Sequence, residues 1–277
     1  MTTLERFSKL SPGWLLELFV AGNLGFLAID VYVAHAVNSF RSRPEWIPVL
    51  FSLVAPLALA RGLWINRLRA SPRGIAGSIV GYAAIVVGVA GLLFHLSNAF
   101  FELQTIKSLV YTAPFAAPLS YVGLGLLLVL NRRIDDRGAE WARWVVFLAM
   151  AGFVGNVALS LADHAQNGLF SAVEWVPVIS ASYASTFLLV ALNTKSRSFL
   201  WACVGLQLAQ IVVGIVGFTL HLRSNLSHGT APVLDRFLFG APIFAPLLFA
   251  DLAVLAAIGL LNSLRVQRDS REPGALT

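Results

Sequence analysis

Apolar residues dominate eight stretches of the chain, near 14–37, 46–64, 75–97, 109–130, 142–165, 175–193, 199–221 and 238–262, and charged residues gather between them. Each stretch approaches the ~20 residues that a helix needs to cross the hydrocarbon core of a bilayer. Leu, Val, Ala and Gly fill these runs without the alternation of an outer-membrane strand, so helices are expected. The pattern predicts an all-α integral membrane protein with eight transmembrane helices. The first run is too long for a signal-peptide core and is followed by no small-residue cleavage site, so a retained helix is expected there.

Composition agrees with the pattern. With 57% hydrophobic and 12% charged residues and a mean hydropathy of +0.76, the 277-residue chain cannot cover a soluble surface. A cytosolic enzyme, a secreted domain, a disordered scaffold and a nucleic-acid binder are all excluded as readings. The net charge of +6 is spread over short loops, so it reports topology instead of an anionic partner. Fifteen of the 20 Lys and Arg residues fall on one side of the eight-helix pattern: Arg6 and Lys9, Arg61 to Arg73, Arg132 to Arg143, Lys195 and Arg197, and Arg265 to Arg271. Arg41, Arg43, Lys107, Arg223 and Arg236 fall on the other. The bias predicts a plasma (inner) membrane protein of prokaryotic type with both termini cytoplasmic. All seven Trp residues, from Trp14 to Trp201, lie near expected helix ends, where indole rings favour the headgroup level. A single cysteine, Cys203, excludes intrachain disulfides, CxxC pairs and CxxCH haem attachment.

The chain also resembles itself. His35 to Val49 (HAVNSFRSRPEWIPV) matches His164 to Val178 (HAQNGLFSAVEWVPV) at 8 of 15 positions without a gap. Ile85 to Leu96 (IVVGVAGLLFHL) matches Ile211 to Leu222 (IVVGIVGFTLHL) at 7 of 12, and Ala113 to Leu119 (APFAAPL) matches Ala241 to Leu247 (APIFAPL) at 5 of 7. Three collinear blocks predict two four-helix units, residues 1–135 and 136–277. Four crossings return the chain to its starting side, so the units form a parallel repeat.

The polar residues kept in both units are His35 with His164, Asn38 with Asn167, Ser42 with Ser171, Glu45 with Glu174, and His95 with His221. All fall toward the extracytoplasmic ends of the expected helices. Imidazole binds transition metals and haem iron, and carboxylate can complete a harder site. Two arrangements fit: a haem held between the two imidazoles of each unit, or one Fe, Cu or Zn ion bound by His35, His95 and Glu45 and repeated at His164, His221 and Glu174. In either, the glutamates are ligands or proton-transfer groups and Asn38 and Asn167 orient a histidine. Asp30, Asp163 and Asp251 are costly at membrane depth. Asp30 and Asp163 are expected to support the histidines, whereas Asp251, expected near the middle of helix 8, has only Gly123 opposite it. His228 has no counterpart and reads as a loop residue. The prolines Pro114, Pro118, Pro242 and Pro246 are expected in the first turns of helices 4 and 8, and Gly88, Gly91, Gly214 and Gly217 at close helix contacts.

The outline is similar to that of haem A synthase, a duplicated eight-helix bundle with paired histidines. That family's Glu three residues before a His-Arg pair is missing here, and its histidines lie on even-numbered helices instead of odd ones. No residue role is therefore carried over. No nucleotide-binding or common hydrolase signature is present. The expected function is a metal- or haem-dependent membrane oxidoreductase with redox or oxygenase-like chemistry. The competing readings are a proton-coupled small-molecule transporter with an outward-facing polar vestibule and a cofactor-free assembly or anchor subunit of a membrane complex. Expected partners are the lipid bilayer, with a quinone, another membrane subunit or a second copy as further candidates, and no nucleic acid.

Overall fold

The computed structural model describes residues 11–69, 75–98, 100–110, 114–166, 168–227 and 231–270. Arg6, Lys9, Arg73, Asn167, His228 and Arg271 lie outside these ranges. The described residues are helical, with no strand among them. The long helices are α1 (Pro12–Ala36), α2 (Trp46–Arg69), α3 (Ile75–Asn98), α4 (Leu119–Arg133), α5 (Ala139–Gln166), α6 (Trp175–Asn193), α7 (Arg197–Ser227) and α8 (Leu247–Asp269). Seven of them are long and apolar enough to cross a membrane; α4, at 15 residues, is too short to count among these. Their outward surfaces carry large apolar side chains such as Val54, Leu57, Val86 and Leu208, each more than 60% exposed. A surface of that kind suits lipid and not water.

Local chemistry sets the helix ends. Ser11 caps α1 by accepting the Trp14 amide at 3.2 Å, with Pro12 in the first turn. The starts expected for α4 and α8, near 109 and 238, are corrected to Leu119 and Leu247. Proline has no amide to extend a helix and disfavours helical geometry in the residue before it. Residues 114–118 and 242–246 accordingly form turns, and Pro118 and Pro246 cap α4 and α8 instead of lying inside them. Asp251 therefore stands in the second turn of α8, not near its middle. In the other direction, α7 runs to Ser227, leaving His221 before the helix end.

Neighbouring helices pack in sequence order: α1 on α2, α2 on α3, α3 on α4 and α4 back on α1, then α5 on α6, α6 on α7, α7 on α8 and α8 back on α5. The α4–α5 and α1–α8 contacts join the two groups. Small residues permit the close approaches. A Cβ on Gly88 would lie 2.8 Å from the Pro118 carbonyl oxygen, and one on Gly214 would lie 2.9 Å from the Pro246 carbonyl oxygen.

Two polar connections hold the end of the molecule opposite the histidines. Arg132 of α4 makes a 2.5 Å ion pair with Glu17 of α1, their side chains 5% and 2% exposed. Gly77 of α3 leaves the room that the guanidinium fills, since a Cβ there would collide with it. Beside it, Asn131 donates to the Gly13 carbonyl at 2.8 Å and accepts the Trp141 indole N–H at 3.2 Å. Asp136 accepts the Gly13 amide at 2.8 Å through its side chain and the Asn262 amide group at 2.9 Å through its carbonyl. Trp141 is thus fully buried, which corrects its expected place at the lipid interface. Trp46, Trp144, Trp175 and Trp201 are all more than 40% exposed near helix ends.

Candidate functional site: two histidine pairs

The loop after α1 fixes the first candidate histidine. The Phe40 amide donates to the His35 carbonyl at 3.3 Å, closing the helix with Ser39 and Phe40 at φ values of 55° and 49°. The loop after α5 does the same: Leu169 donates to the His164 carbonyl at 3.1 Å, with Gly168 and Leu169 at φ values of 80° and 51°. Left-handed backbone is open to glycine but costs about 1 kcal/mol or more for Ser39, Phe40 and Leu169, so these ends are held against strain. They pin the backbone of His35 and His164.

The second histidine of each pair arrives from a different helix. His95 lies near the end of α3, and its ring centre stands 6.3 Å from that of His35. His221 of α7 stands 6.4 Å from His164. All four rings are half-buried. His35 Nδ1 bonds to the Val31 carbonyl at 2.9 Å, His95 Nδ1 to the Pro114 carbonyl at 3.0 Å, and His221 Nδ1 to the Pro242 carbonyl at 2.8 Å. A carbonyl oxygen only accepts, so each of these Nδ1 atoms carries a proton. In the neutral ring the lone pair is then on Nε2, the state that a metal requires. A metal bound to one nitrogen of each ring at about 2 Å places the ring centres roughly 5 to 6.5 Å apart, so the observed separations suit shared coordination.

The carboxylates are placed differently. Glu45 Oε1 accepts the Ser42 amide at 3.1 Å, in the 3-10 turn that precedes α2, and Glu174 occupies the corresponding place before α6. The buried Oε2 atoms of both glutamates have no hydrogen-bond partner. Among the described residues no three of His, Cys, Asp and Glu stand close enough to hold one metal ion, so the His–His–Glu arrangement is not assembled here. Asp163 lies within electrostatic reach of His164 and His221, and Asp30 within electrostatic reach of Tyr121. Asp163 also lines a small cleft of about 60 Å3 with Pro114 and Gln166, and Gln166 donates to the Val110 carbonyl at 2.9 Å across the two helix groups. Asp251 accepts the Asn23 amide group at 2.8 Å, joining α8 to α1. Asn38 is exposed beyond the end of α1.

The orienting carbonyls of Pro114 and Pro242 carry a role that side-chain patterns did not indicate. Their signal was the third repeated block, which places a proline at each position. No family model matches this chain, and no curated protein and no solved structure matches it either.

Proposed function

We propose that the chain is a plasma (inner) membrane protein with both termini cytoplasmic, built as two parallel four-helix repeats, 1–135 and 136–277. In this reading α4 completes its crossing together with the turns before it. Each repeat binds a haem or a transition-metal ion between its two imidazoles near the extracytoplasmic face, in the service of a redox or oxygenase-like reaction.

One observation carries the reading: a histidine from the first helix and one from the third meet at 6.3 Å in one half and 6.4 Å in the other. The glycine contacts and the left-handed loops that support each pair also recur. His35, His95, His164 and His221 are the ligands, and the carbonyls of Val31, Pro114 and Pro242 orient three of them. The buried Oε2 atoms of Glu45 and Glu174, which have no hydrogen-bond partner, are suited to holding a proton. Asp163 gives the second pair a carboxyl neighbour, while its counterpart in the first half is Ala34. When bound, haem iron or an Fe or Cu ion would supply one-electron chemistry, whereas Zn would act only as a Lewis acid.

The test is an absorption spectrum with elemental analysis on protein purified in mild detergent, beside His35→Ala and His164→Ala. The expected result is a Soret band, or stoichiometric Fe, Cu or Zn, that falls by about half in each variant and disappears in the double variant. Colourless, metal-free, folded wild-type protein would overturn the proposal.

The part-buried Asp251–Asn23 bond between the two halves favours a second reading, a proton-coupled transporter. If that reading holds, Asp251→Ala abolishes proton-driven uptake in liposomes and leaves cofactor content unchanged. Undiminished uptake in that variant removes the reading.

A further inference from the structure

Asn225 stands four residues beyond His221 on α7, about one turn along the same side of the helix, and is only 4% exposed. It brackets Ala241 at the far end of the following loop: Nδ2 donates to the Ala241 carbonyl at 2.8 Å, and Oδ1 accepts the Ala241 amide at 2.8 Å. Turning the side-chain amide over would set donor on donor and acceptor on acceptor, so its orientation is fixed. The next residue is Pro242, whose carbonyl accepts Nδ1–H of His221 at 2.8 Å. Arg236 adds a third tie through the short helix Val233–Phe239, its Nη1 donating to the Leu226 carbonyl at 2.9 Å. The acceptor that orients His221 is thus fastened to the helix that carries the histidine. Gly240 makes the bracket possible, because a Cβ there would collide with Asn225 Oδ1 and with the Arg236 carbonyl oxygen.

The first half has exchanged both members of this bracket. Carried three residues past its end, the second repeat block sets Ala99 opposite Asn225; carried one residue before its start, the third sets Thr112 opposite Gly240. Alanine has no side-chain amide to grip the backbone, and threonine brings the Cβ that the bracket excludes. The two differences therefore go together. A third lies beside the other histidine, where Asp163 is within electrostatic reach of His164 and His221 and the first half has Ala34. His35 has a bond of its own, to the Val31 carbonyl, but that acceptor lies on the same helix and ties nothing to α3.

We propose that His164 and His221 form the tighter of two unequal metal or haem sites, and that Asn225 is the positioning residue that makes the difference, by holding the Pro242 carbonyl against His221. The affinity order rests on the histidine reading above. A ring whose acceptor cannot move presents Nε2 in one direction, so the second site binds without first ordering its loop. A carboxylate beside that pair adds attraction for a bound cation. The first pair lacks both aids, and it fills at higher concentration of the same group.

The experiment is titration of the full-length protein, stripped of any bound metal and haem, with Co2+ and separately with haemin in mild detergent, followed by absorption. Wild-type protein should show two classes of site for the probe it binds, about tenfold or more apart in affinity. His164→Ala should remove the tighter class and His35→Ala the weaker. Asn225→Ala, and Gly240→Thr with the first half's residue, should each weaken the tighter class about tenfold and leave the weaker class unchanged. A second readout needs no metal: in nitrogen NMR of the histidine rings, His221 should be held as the Nδ1–H tautomer in wild type and become a mixture in Asn225→Ala, with His95 unaltered. Two classes of equal affinity, loss of the weaker class in His164→Ala, or unchanged affinity and tautomer in folded Asn225→Ala overturns the proposal. Wild-type protein that binds neither probe overturns the histidine reading and the affinity order with it, and the His221 tautomer then decides by itself whether Asn225 orients that ring.

Discussion

Glu17→Ala destabilises the protein by about 3–5 kcal/mol, the range for breaking a buried ion pair from one side. The large effect comes from what is left behind. Arg132 comes within 2.5 Å of Glu17, and its side chain is only 5% exposed. Without the carboxylate, the guanidinium keeps its charge in a place shaped by Gly77 and closed to water. Removing both partners is far milder. Glu17→Met with Arg132→Met replaces the pair by apolar side chains of similar length, and such exchanges are often neutral or stabilising. Thermal unfolding of the purified variants by intrinsic fluorescence checks both expectations. A Glu17→Ala protein as stable as wild type would mean that the pair is hydrated and structurally idle.

Gly88→Val and Gly214→Val should each disable one histidine pair and spare the other. A Cβ at Gly88 would stand 2.7 Å from Val122 Cγ2 and 2.8 Å from the Pro118 carbonyl oxygen. At Gly214 the nearest atoms are the Pro246 carbonyl oxygen at 2.9 Å and the Ala250 amide nitrogen at 3.0 Å. Backbone atoms cannot rotate aside, so α3 must move from α4 and α7 from α8, at about 1–3 kcal/mol or more for each overpacked site. The movement acts on the site because the Pro114 carbonyl that holds His95 is four residues from Pro118, and Pro242 stands in the same relation to Pro246. Bound metal or haem per chain should fall by about half in either variant. Gly155→Ala is the control, since a Cβ there meets nothing within 4 Å. If Gly214→Val retains the full complement while losing stability, the helix contact and the histidine pair are independent.

Apolar run length was enough to read the helical membrane class, because the bilayer imposes a length that few other environments demand. The short α4 and the late start of α8 were less legible. Hydropathy carries on through residues 109–118 and 238–246, and only the missing proline amides stop the helix. Trp141 shows a related failure: an indole near a helix end can face lipid or the protein interior, and the Asn131 oxygen that draws it inward is not visible in a one-dimensional pattern. For the site, the repeated blocks marked the four histidines that the structure brings together. They also marked Glu45 and Glu174, which the structure keeps in the turns before α2 and α6.

The Asp136 connection also implies an order of assembly. Its side chain reaches back to Gly13, 123 residues earlier, while its carbonyl waits for Asn262, 126 residues later. At about 5–20 residues per second, that wait lasts roughly 6 to 25 s of synthesis. The Glu17–Arg132 pair can form as soon as α4 is inserted, so the amino-terminal half can be locked while its junction stays open. The nascent chain therefore passes through a long-lived stage with its first helix latched and the seam still wet. Asn262, arriving with the last helix, is the fastening that ends it.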